Sequence, residues 1–137
     1  MNLLETLKRW TTVVADTGDI HAIAEHRPQD ATTNPSLLQH AAELPQYQNL
    51  VDDALDFALR ADEDRAARSA AFMDRLFIDF GAEILKIVPG RVSTEVDAGL
   101  SFDTEGTLAK VRKLTRSTSM RRRFAGCTTR TPWPPRS

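Results

Sequence analysis

One cysteine, Cys127, occurs in 137 residues. A single thiol excludes an internal disulfide and any metal site built from cysteines. The three histidines, His21, His26 and His40, have no ligand-like spacing and read as surface residues, so no metal is expected. No apolar run approaches the ~20 residues that a membrane helix needs, so no membrane partner is expected either. The amino terminus, MNLLETLKRW, is too short and too charged for a secretory signal, which points to a cytoplasmic protein. Aliphatic side chains are absent from one stretch. Residues 115–137 contain no Leu, Ile or Val, and no Asp, Glu or Lys, but six Arg. That stretch offers too little apolar surface to offset the entropy of ordering, so an irregular, disordered tail is expected there. Its arginine run at 121–123 can attract phosphate. No interleaved aromatics or binding fold surround the run, so no nucleic-acid partner is expected.

What is present is the composition of one soluble domain, 41% hydrophobic and 27% charged. The net charge of −1 hides an asymmetry: residues 1–114 carry −7 and residues 115–137 carry +6. The domain boundary is therefore placed at 114.

Residues 11–36, TTVVADTGDIHAIAEHRPQDATTNPS, hold two short β-type runs, 11–16 and 30–34. Thr17-Gly18 breaks the first, and Pro35 stops the second because it has no amide hydrogen to donate. A short helix is predicted between them, over 19–25. Strand, helix, strand is the unit that lays two parallel strands side by side. Residues 2–10 and 36–42 suggest short helices. Tyr47, Leu50, Val51, Ala54, Leu55 and Ala58 recur at three- and four-residue spacing, which predicts a helix over about 46–60. Asp62 or Asp64 can cap the next helix, whose apolar face runs from Ala67 to Leu85 before Pro89-Gly90 ends it. Residues 91–97, RVSTEVD, alternate with a period of two and form the third predicted strand. Asp103 then caps a helix over about 104–114.

Asp16, Asn34 and Glu95 each fall at or near the end of a predicted strand, with Thr33 beside Asn34. In parallel α/β proteins active sites lie at the carboxyl ends of the strands. A carboxylate there can move a proton, and an amide can orient a substrate hydroxyl. Each residue also has a structural reading: Asp16 as a turn former, Asn34 as a helix cap, Glu95 as a solvated strand residue. Position alone leaves both readings open.

The segments TTVVADTGDI, PQDATTNPSLL and EILKIVPGRVSTEVDAGLSFDTE closely resemble the transaldolases of the pentose phosphate pathway, over about residues 3–114. The resemblance implies the amino-terminal part of a (β/α)8 barrel, its first three parallel strands and their helices. It implies a transferase that moves a dihydroxyacetone unit between ketose and aldose phosphates through a lysine Schiff base, with no cofactor. The implied substrates are sedoheptulose 7-phosphate, glyceraldehyde 3-phosphate, fructose 6-phosphate and erythrose 4-phosphate, and the intact family enzyme can form a homodimer. By motif, Asp16 resembles the acid/base at the breaking bond. Glu95 resembles the carboxylate that works through a water on the carbinolamine. Asn34 and Thr33 resemble the wall that holds substrate hydroxyls.

The Schiff-base lysine of the family lies on the fourth strand, after the helix that ends near Leu114. Lys8, Lys86, Lys110 and Lys113 are the only lysines here, and none matches its motif. The family's later phosphate-binding serine and arginine have no counterpart either. A reading frame that shifts near residue 114 accounts for the pattern. Two functions compete at this point: transaldolase by family, and a non-catalytic truncated fragment or pseudogene product. Another Schiff-base aldolase is a further alternative.

Overall fold

The computed structural model describes residues 2–61 and 64–115. The expected irregular tail lies outside the described residues, apart from Thr115. Helix α1 (Leu3–Lys8) leads into β1 (Val14–Asp16), α2 (Ile20–His26) and β2 (Asp30–Thr33). Helices α3 (Pro35–Ala42), α4 (Gln48–Ala61) and α5 (Arg65–Leu85) follow, with a 3-10 turn, Pro45–Tyr47, between α3 and α4. Strand β3 (Val92–Thr94), a second 3-10 turn (Ala98–Leu100) and α6 (Thr104–Thr115) complete the described chain. The three strands are parallel, in the order β1-β2-β3. They are the first strands of a (β/α)8 barrel, with their helices on one side.

The ends of the elements follow from local chemistry. Asp19 starts α2 by accepting the amide hydrogens of His21 and Ala22. Arg27 ends it in the left-handed region, φ 46°, and Pro28 cannot continue a helix. Asp64, one of the two predicted caps, starts α5 by accepting from Ala67. Asp103 accepts from the Gly106 amide at 2.8 Å and so opens α6. Gly18 sits where the β1–α2 turn presses on α3: a Cβ there would lie 2.7 Å from the Leu37 carbonyl oxygen.

Two clusters form the core. Ala31 and Val92 pack with Ile23, Ile84 and Val88, so this face of the sheet lies against α2 and the end of α5. Leu38, Tyr47, Leu50, Leu76 and Phe80 join α3, α4 and α5 into a helical layer. Between α5 and α6 the buried Asp74 pairs with Lys110, and Lys113 lies 2.9 Å from its second oxygen. A carboxylate out of water needs such cations, so the pair fixes where α6 lies on α5.

Tyr47 ties the helical layer to the β1–α2 turn. Its hydroxyl donates to Asp19 Oδ1 at 2.9 Å, and its ring meets Phe80 edge to face at 5.4 Å. The Tyr47 hydrogen bond is the main cause that holds the Asp19 carboxyl below its usual range, against the opposing effect of burial. Burial, reinforced by Asp19, pushes the Tyr47 phenol up. A depressed carboxyl adds stability that is present above its unfolded value near ~3.9 and is lost as pH falls through the folded value. A raised phenol adds stability that is present below about 10 and is lost as pH rises through the folded value. Tyr47→Phe is therefore expected to cost about 1.5–3 kcal/mol at pH 7, the range for hydrogen bonds to charged groups. Urea unfolding at pH 7 and at pH 3 checks this: the gap between variant and parent should shrink at the lower pH.

Candidate active site

Strand alternation decides which side chains share a surface. In register, Asp16 lies opposite Thr32 and Thr32 opposite Ser93, while Ala31 pairs with Val92. Ala31 and Val92 face the helices. The period of two therefore turns Asp16, Thr32 and Ser93 to the other face, the one that lines the inside of a barrel. Asn34 and Glu95 extend the same alternation, two residues beyond Thr32 and Ser93. All of these positions are at the carboxyl ends of the strands, and none is buried.

The side chains act on one another. The Thr32 hydroxyl donates to Asp16 Oδ1 at 2.8 Å, which fixes the carboxylate across the β1–β2 seam. Asn34 Oδ1 accepts the Leu37 amide hydrogen at 2.9 Å and caps α3. The structural reading of Asn34 thus holds, and it also orients the amide. With Oδ1 on the helix terminus, the two Nδ2 hydrogens are the groups left to donate to a ligand oxygen. Strand spacing puts the Asp16 and Asn34 backbones about 8 Å apart, a gap that a chain of a few carbons can bridge. Glu95 is exposed, and its amide donates to the Thr33 carbonyl at 3.3 Å, which extends the β2–β3 ladder past the last strand residue. It lines a cavity at this end of the sheet with Pro35, Met73, Asp97 and Lys110.

Thr33 does not join this group. It is fully buried, and its hydroxyl lies 3.4 Å from that of Thr94 on the helix-facing side. Its neighbour Thr32 occupies the inner face. Parity alone could have shown this, since Thr32 and Asn34 are two residues apart and Thr33 falls between them. Ser93 is found in the same way, two residues before Glu95. Among the described residues, no three His, Cys, Asp or Glu side chains form a group that could hold a metal ion. No helix among them is long and apolar enough to cross a membrane.

Parallel strands with helices on one face, and carboxylates on the other at the strands' carboxyl ends, are the arrangement of part of a (β/α)8 barrel. The family model described as Transaldolase/Fructose-6-phosphate aldolase matches residues 13–124, past the change of composition at 114. The chain belongs to this family. It is 55% identical over 115 residues to a protein named "Transaldolase" from Shewanella baltica (strain OS185), covering 84% of this chain and 36% of the relative. The "Transaldolase" of Actinobacillus pleuropneumoniae serotype 3 (strain JL03) is 54% identical over 114 residues, 83% of this chain and 36% of that protein. The chain thus spans about a third of the length of these curated relatives.

Proposed function

We infer that this chain supplies the amino-terminal wall of a transaldolase site, acting on sugar phosphates such as fructose 6-phosphate and sedoheptulose 7-phosphate. The observation that carries this reading is the polar inner face, where the Thr32 hydroxyl holds Asp16 one strand away from Asn34. Asp16 takes the proton of the substrate hydroxyl when the carbon–carbon bond next to it breaks, and returns it when the new bond forms. Asn34 donates through Nδ2 to a substrate hydroxyl and fixes the sugar chain along the sheet. Glu95 moves protons through a water while the amine adds to the carbonyl and water leaves. Thr32, rather than Thr33, completes the wall.

The amine comes from outside the three-strand unit. In this reading the 137-residue chain by itself is non-catalytic, and it becomes catalytic within a complete barrel. The test is a chimera in which residues 2–115 of this chain replace the matching segment of the Shewanella baltica transaldolase. Transfer of the three-carbon unit from fructose 6-phosphate to erythrose 4-phosphate is expected. A folded chimera without transfer would sink the reading.

A further inference from the structure

We propose that Tyr47 is a positioning residue of the transaldolase site: through Asp19 it holds the proton-transfer carboxylate of Asp16 at a fixed distance from Asn34. The inference rests on the roles proposed above for Asp16 and Asn34, and adds to them a side chain buried in the helical layer.

Asp16 is exposed at the end of a strand of three residues, so few ladder bonds fix its backbone. The Thr32 hydroxyl sets the direction of its carboxylate but not the course of the chain beneath it. The turn that follows completes that course, and each of its residues is held from a different side. Thr17 Oγ1 accepts the Asp19 amide hydrogen at 3.1 Å. Gly18 is buried against the Leu37 carbonyl and Ala41 of α3, with no room for a Cβ. Asp19 Oδ1 accepts from the His21 and Ala22 amides and, at 2.9 Å, from the Tyr47 hydroxyl.

Tyr47 can hold the turn because it is itself fixed. It is 4% exposed, with its ring edge to face on Phe80 and stacked on His21. Its oxygen also accepts the His21 amide hydrogen at 3.3 Å. Its backbone is tied to the end of α3: the Tyr47 amide donates to the Leu44 carbonyl and the Leu44 amide to the Ala41 carbonyl, both at 3.0 Å. The other end of α3 is the Asn34 cap on the Leu37 amide. Eight helical residues make a stiff rod of about 12 Å. Asn34, α3, Tyr47, Asp19 and Asp16 thus form one closed chain of contacts, and the Tyr47 hydroxyl is the link that closes it.

Removing that hydroxyl opens the chain at one point. Asn34 keeps its cap, which does not depend on Tyr47, while Asp16 gains freedom to shift. A displacement of about 1 Å in a reacting group can cost on the order of 10²-fold in rate. Binding through Asn34 should therefore hold while turnover falls.

The experiment places Tyr47→Phe in the chimera and measures kcat and KM with fructose 6-phosphate and erythrose 4-phosphate. A fall in kcat of about 10-fold or more is expected, with KM within about twofold of the parent. Asp19→Asn keeps an oxygen for the Tyr47 hydroxyl and caps a helix as well as aspartate does, so it should retain kcat. Ala58→Gly, at a buried position of α4, lowers stability away from the turn and should retain kcat too. Parental kcat in Tyr47→Phe would overturn the proposal. So would an equal loss in Ala58→Gly, which would make the effect one of stability. A second measurement needs no activity and uses the 137-residue chain. Amide exchange at Asp19 and His21 should be about 10-fold or more faster in Tyr47→Phe than in Ala58→Gly, in line with the loss of a hydrogen bond to a charged group. Equal exchange in the two variants would overturn the clamp. A parent chimera without transfer would instead remove the roles given to Asp16 and Asn34, while the exchange measurement still decides whether Tyr47 holds the turn.

Discussion

In the chimera, Asp16→Asn is expected to lower kcat by roughly 10²–10⁴-fold, the usual contribution of a positioned proton-transfer group. The substitution keeps the shape of the side chain, and its amide oxygen can still accept the Thr32 hydroxyl hydrogen that Asp16 Oδ1 accepts at 2.8 Å. Packing should be preserved, because Asp16 is exposed on the inner face. What is lost is the ability to take a proton. Glu95→Gln should lower kcat in the same sense and slow formation of the imine in a single turnover. Two threonine variants separate the faces of β2. Thr32→Val removes the donor that fixes Asp16 and should reduce kcat more than it changes KM. Thr33→Val alters a buried hydroxyl beside Thr94 and should change stability but not rate. Steady-state kinetics with fructose 6-phosphate and erythrose 4-phosphate read all four variants. An Asp16→Asn chimera with parental kcat would remove Asp16 from the chemistry. A Thr33→Val chimera that loses rate while Thr32→Val does not would reverse the assignment of faces.

The elements with strong local signals were legible in the sequence. The apolar spacing of Leu50, Ala54 and Ala58 located α4, and all three are buried. Asp62 or Asp64 marked the start of α5, and the structure uses Asp64; the alternation around Val92 located β3. Strand ends were less legible. Residues 11–16 read as one strand, yet β1 begins at Val14. The Val13 carbonyl accepts from the amides of both Gln29 and Asp30, so regular pairing starts one residue later. The expected strand over 30–34 ends at Thr33 because Asn34 is already the cap of α3, and that helix starts at Pro35, not Ser36. The 3-10 turn at Ala98–Leu100 had no periodic signal; Asp97 makes it by accepting the Gly99 amide at 2.7 Å.

Within the candidate site, the place of Asp16, Asn34 and Glu95 at strand ends is what singles them out in the sequence, while Thr32, which the structure sets against Asp16, carries no such signal. The sequence motif groups Thr33 with Asn34 as neighbours in the chain. The sheet instead groups residues by parity, and only the parity says which hydroxyl meets Asp16. Buried Asp74 was not legible at all. An acid on the helix face of α5 looks solvated until α6 brings Lys110 against it from 36 residues away. The Tyr47–Asp19 bond, 28 residues apart in sequence, is hidden for the same reason. Long-range polar partners depend on how elements pack, which periodicity does not encode.

Treated with fructose 6-phosphate and borohydride, the 137-residue chain alone is expected to show no stoichiometric sugar adduct on any lysine. An imine forms only when a neutral amine reaches the substrate carbonyl. Lys8 donates to the Glu5 carboxylate at 3.0 Å and to the His26 carbonyl at 2.8 Å, where α2 turns into the amino end of β2. That is the end of the sheet opposite Asp16. Lys86 follows the last residue of α5 and pairs with Glu83, near the amino end of β3. Lys113 is exposed on α6 and lies against Asp74. Lys110 is the instructive case, because it lines the same cavity as Glu95. Its Nζ is held in an ion pair with the buried Asp74 carboxylate of α5, so it is engaged there rather than free to reach a substrate carbonyl. Mass spectrometry of the reduced digest should therefore find all four lysine peptides unmodified, whereas the complete Shewanella baltica transaldolase, run alongside, should carry one adduct. A stoichiometric adduct on Lys110 would show that the Asp74 pair opens in the presence of substrate and that this chain holds a nucleophile of its own. An adduct on Lys8 or Lys86 would place the carbonyl at the wrong end of the sheet and overturn the site itself.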